Sequence, residues 1–178
     1  PLTKYSGKLK SGLAWWGSKA SVLYLIALLQ AAVMIFMLHL CDGFKPVEMG
    51  KTLAVACLAS VAFMSVMYFF TNTFGKVGSF LMLVFMVIQL AGSVGTYPLE
   101  LSGSFVPYLH DWVPFTYTVE AFRSTISGGE SIQEAVIFLT VLWIVFTLLT
   151  ILEFQIRTLK MKRGKRTLDN WLEEKGLA

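Results

Sequence analysis

Residues 52–97 read TLAVACLASVAFMSVMYFFTNTFGKVGSFLMLVFMVIQLAGSVGTY, and the one charge in them is Lys76. Two apolar runs, 52–70 and 79–97, flank a short polar connector, 71–78. Each run is about 20 residues long, and a helix rising ~1.5 Å per residue then matches the ~30 Å hydrocarbon layer of a bilayer. In lipid the backbone must satisfy its own donors and acceptors, which an isolated apolar run does only as a helix. Working outward, 22–41 and 135–156 are runs of the same kind, touched by charge or histidine only at His39 and Glu153, each near an end. Four spans are therefore expected in 178 residues. The chain is 56% hydrophobic yet still 15% charged, so its charges must be segregated outside these runs. Four such helices inside a soluble core would have too little polar chain left to cover them.

Orientation follows from lysine and arginine in the short flanks, because these resist translocation. Lys4, Lys8, Lys10 and Lys19 precede the first run, and Arg157, Lys160, Lys162, Arg163, Lys165 and Arg166 follow the last. Both ends are thus expected in the cytoplasm. The segment 98–134 carries Glu100, Asp111, Glu120, Glu130 and Glu134 against Arg123 alone, and belongs outside. The organisation expected is a cytoplasmic or interfacial segment 1–21, a membrane domain 22–156 and a basic cytoplasmic tail 157–178. The net charge of +4 lies beside membrane spans, which points to anionic lipid headgroups and away from nucleic acid. The chain begins Pro1-Leu2-Thr3-Lys4, with no initiating Met and no signal-sequence anatomy, so a longer protein is expected upstream.

Chemistry-bearing motifs are few. Gly50-Lys51-Thr52 resembles the end of a phosphate-binding loop, but Lys45 stands where that loop needs glycine, so these residues read as a helix start. Neither His39 nor His110 has the neighbours of a nucleophilic site, although Asp111 adjoins His110. Cys41 and Cys57 fall at different depths and form no CxxC or metal-spaced cluster. No catalytic, cofactor or metal site is expected, and any energy input must come from another polypeptide.

Within the spans, small residues mark close approach: Ala56, Ala59 and Ser60 on the second, Ala91 and Gly95 on the third. Gln89, Gly92, Ser93 and Thr96 share one face of the third span, a candidate polar stripe that lines a path or bonds to neighbouring helices. Thr140, Thr147 and Thr150 lie near one stripe of the last span, within reach of the preceding turn or of other helices. Gln30 and His39 are on nearly opposite faces of the first. Glu153 and Arg157 have the favourable order for an ion pair one turn apart and read as an anchor at the cytoplasmic boundary.

The segment 98–134, PLELSGSFVPYLHDWVPFTYTVEAFRSTISGGESIQE, is too aromatic for a solvated loop. Pro98, Pro107 and Pro114 divide it, and 115–126 reads as a brief helix ending at Gly128-Gly129. A hairpin dipping into the outer leaflet or capping the bundle is expected, since irregular backbone at membrane depth must be covered by protein.

The run Phe74-Gly75-Lys76-Val77-Gly78, then Gly95-Thr96-Tyr97-Pro98 with Glu100, then Val113-Pro114-Phe115-Thr116-Tyr117 with Ala121, Arg123 and Ser127-Gly128-Gly129 resembles the C-terminal membrane region of the YhgE/Pip (phage infection protein) family. That family belongs with the type-two permeases of ATP-binding-cassette exporters, and the resemblance covers roughly residues 10–157. It implies an all-α membrane fold in which these four spans are the last four of six and 98–129 is an extracellular re-entrant hairpin with Pro98, Glu100, Pro114, Tyr117, Arg123, Gly128 and Gly129. It also implies that Trp15, Trp16 and Lys19 lie along the inner membrane surface where such permeases meet a separate ATPase, the alternative being a plain interfacial anchor, and a homodimer in the cell membrane is expected. Two functions follow: a permease moving a lipidic or polymeric substrate, or a membrane-anchored surface protein serving as phage receptor or secretion scaffold. Arg123, the one basic residue of the outer segment, is expected to pair with Glu120 or Asp111.

Overall fold

The computed structural model describes residues 12–93, 113–128 and 131–162. Every element among them is helical: α1 (Gly12–Cys41), α2 (Met49–Gly92), α3 (Pro114–Ser127) and α4 (Gln133–Lys162). Three helices, α1, α2 and α4, are long and apolar enough to cross a membrane, where four spans were expected. The difference lies in α2, whose 44 residues take in both the second and the third apolar runs. At 1.5 Å per residue that is about twice the hydrocarbon thickness.

α2 is not straight. Gly75 has φ 58 and ψ −129, outside helical space and in a region that side-chain-bearing residues rarely enter. Three residues on, Gly78 sits so close to the preceding arm that a Cβ there would lie 2.0 Å from the Phe70 carbonyl oxygen. In a straight helix these positions stand ~12 Å apart along the axis. The two arms therefore fold towards each other. The polar connector expected over 71–78 has contracted to a single non-helical residue, because Asn72 and Thr73 find partners on α4 and stay helical.

The first arm of α2 is the central helix. Ala56 packs with Ala31 and Ile35 of α1, and Val55 with Ala121 of α3 and Ala135 of α4. Ala59 and Ala62 meet Leu139, while Tyr68 joins Trp15 and Phe154. Alanines at these contacts let backbones approach closely, which is how membrane helices gain dispersion energy when lipid competes for apolar surface. The pairings also set direction. Numbers rise together in α2 and α4 (Val55 with Ala135, Thr73 with Glu153), so those two are parallel, whereas α1 runs against both (Ala31 with Ala56, Trp15 with Tyr68).

On the second arm, Ala91 is exposed and Gly95 lies outside the described residues. The arm buries Gly78, Met82, Gln89 and Gly92 instead, the side that Gly78 turns towards the first arm. Away from these seams the helices expose apolar side chains, such as Val33 and Phe36 on α1 at 58% and 60%. Such an outside suits hydrocarbon as its solvent.

α3 starts with Pro114 in its first turn and ends on Gly128 at φ 70, whose N–H donates to the Ser124 carbonyl at 3.0 Å. This is the proline-in, glycine-out pattern of a short helix. It descends beside α2: the backbone N–H groups of Val47 and Glu48 donate to Ile126 and Thr125, Ala121 meets Val55, and Phe115 meets Phe63. From Glu48 to Phe63 α2 descends ~22 Å, so α3 reaches well down the bundle.

Candidate functional site: polar junctions inside the bundle

Two polar junctions hold α1, α2 and α4 together. The first centres on the Tyr24 hydroxyl, 3.1 Å from Ser65 Oγ, 2.9 Å from Thr147 Oγ1 and 3.1 Å from Trp143 Nε1. Ser65 already donates to the Val61 carbonyl, so it accepts from Tyr24, whose oxygen in turn accepts from Thr147 and Trp143. Each proton in the chain has one acceptor, and three helices are tied at one point. Thr140 and Thr150 donate to the Val136 and Phe146 carbonyls, so the threonine stripe divides between its own helix and its neighbours.

Sequence inspection found Thr147 but not its partners, which lie on other helices. The available signal was Trp143, an aromatic N–H in the middle of an apolar run and not at an interface, where tryptophan usually sits. Tyr24→Phe keeps the ring and removes the shared oxygen, leaving the Trp143 and Thr147 donors without it. We expect a loss of about 1–2 kcal/mol, read as a lower unfolding midpoint in detergent with an altered Trp143 emission.

The second junction lies beside the bend in α2. Glu153 Oε2 accepts from Asn72 Nδ2 at 3.1 Å, and the Thr73 hydroxyl is 2.7 Å from both that oxygen and the Phe69 carbonyl, with one proton to share. Glu153 Oε1 takes Arg157 Nη2, which also donates to the Asn72 carbonyl. The predicted one-turn ion pair is therefore present, but it is buried, with side-chain exposures of 16% and 6%. Its reach across to α2 is also more than an anchor requires. The first arm of α2 ends at Gly75 with its dipole negative, and the guanidinium caps that end through the Asn72 carbonyl.

Of the candidate stripe, Gln89, Gly92 and Ser93 are buried on the inner side of the second arm, and Thr96 lies outside the described residues. Gln89 Oε1 and Ser93 Oγ, one turn apart, have no hydrogen-bond partner among the described residues. Of the residues expected in an outer hairpin, Pro114 is buried at the start of α3 and the Tyr117 ring stacks on Phe138 at 4.0 Å. Arg123 and Gly128 are exposed, while Pro98, Glu100, Gly129 and the suggested partner Asp111 lie outside the described residues. Trp15, Trp16 and Lys19 fall in the first turns of α1. Trp15 is buried edge-on against Phe154 at 4.8 Å, and Trp16 and Lys19 are half-buried.

At the other end a cavity of about 470 Å³ opens between the start of α2, the end of α3 and the start of α4, lined by Glu48, Lys51, Ser124 and Gln133 among others. Lys51 bonds Glu48 there at 2.9 Å, which places Gly50-Lys51-Thr52 at a helix start. His39 Nδ1 donates to the Phe44 carbonyl at 2.8 Å and ties the α1–α2 connector down.

Comparison with known proteins adds the following. The family described as ABC-2 family transporter protein matches residues 10–152, the whole of this bundle short of the last turns of α4. The chain is 32% identical over 130 residues to "Uncharacterized protein YhgE" of Bacillus subtilis (strain 168), an alignment covering 73% of this chain and 17% of that protein. The chain thus spans a small part of that relative's length. No solved structure matches it.

Proposed function

The chain belongs to the ABC-2 family of transporter proteins, and from that membership we propose that it is the membrane-spanning permease part of an exporter that moves a lipidic or polymeric substrate with a separate ATPase. The observation that carries the reading is the extent of the family match, which takes in α1, α2 and α3 and most of α4 together.

The architecture we propose is four crossings with both ends in the cytoplasm. α2's first arm and α4 run in the same direction, so the chain between them must return across the layer, and the second arm, folded back at Gly75, supplies that return. Charge supports the orientation. Among the described residues, Lys19, Lys76 and Lys160 cluster towards the end where α1 begins and α4 finishes, and the acid there, Glu153, is taken up by Arg157. Towards the other end lie four acids, Asp42, Glu48, Glu120 and Glu134, against three bases, Lys45, Lys51 and Arg123, so the net charge is positive at the first end and slightly negative at the second. The packing of α3 along α2, over a rise of ~16 Å from Phe115 to Ile126, supports a re-entrant outer hairpin. At the inner end the cations suit anionic headgroups, and Trp16 and Lys19 are the side chains left to meet an ATPase once Trp15 is committed to Phe154. Gln89 and Ser93 face the interior as candidate path-lining groups.

The test is to purify the polypeptide from its native membrane under mild conditions and identify what comes with it. A co-purifying nucleotide-binding subunit whose ATP hydrolysis changes when the permease is present is the expected result. Absence of such a partner, with no effect on the hydrolysis of any ATPase encoded alongside, overturns the proposal.

A further inference from the structure

We draw no further inference here: the strongest candidate, the pair of buried polar atoms Tyr68 Oη and Asn72 Oδ1 on consecutive turns of α2 beside its bend, belongs to the Glu153 junction and the Trp15–Phe154 packing already described, and both atoms are buried too completely to receive a ligand.

Discussion

Gly78→Leu is expected to abolish the folded protein, and Gly78→Ala to come close. The atom nearest an added Cβ is the Phe70 carbonyl oxygen at 2.0 Å, followed by its carbon at 2.6 Å. Both are backbone and cannot swing aside. Relief requires opening the bend, which would carry Asn72 and Thr73 away from Glu153. A loss of about 3 kcal/mol or more follows, at the upper end for overpacking because no rotamer change absorbs it. The measurement is the fraction of monodisperse protein on gel filtration after heating in detergent. Gly17→Ala is the control: nothing lies within 4 Å of a Cβ there, and alanine in place of glycine inside a helix is expected to be neutral or to add up to about 1 kcal/mol.

Arg157→Met is expected to be nearly as damaging, for an electrostatic reason. It leaves the Glu153 carboxylate largely buried without its counter-charge and removes the donor from the Asn72 carbonyl. Removing one member of a buried pair costs about 3–5 kcal/mol, and replacing both with apolar groups is often close to neutral. The double variant Glu153→Leu with Arg157→Met should therefore unfold at a higher temperature than Arg157→Met alone. If the single and double variants unfold together, the pair is not the source of the loss.

How much of this was legible depended on the reach of each interaction. Apolar runs are local, and their lengths placed the helices. Pro114 and Gly128 bracketed α3 because each acts on its own backbone, and the order of Glu153 and Arg157 predicted their contact because one helical turn separates them. Lost to inspection was everything that closes between helices. Tyr24 is 41 positions from Ser65 and 123 from Thr147, and no spacing rule connects them. The connector 71–78 reads as a loop in the sequence because it interrupts the apolar runs with polar residues. Their partner is a carboxylate some 80 positions later, so the helix persists up to Gly75. The Ala91 face was misjudged for a related reason: small residues permit close approach on any side, and the side used was chosen by Gly78.

The bend at Gly75 has a history as well as a shape. Its residues leave the ribosome long before those that brace it, since Asn72 precedes Glu153 by 81 positions and Arg157 by 85. At the usual 5–20 residues per second, the turn waits about 4–16 s with its polar groups unanswered. During that interval the newborn hairpin must be sheltered by the insertion machinery or tolerate the lipid edge, and the arrival of α4 completes it. A ribosome that stalls before residue 153 would leave behind a chain marked for proteolysis by those unanswered groups.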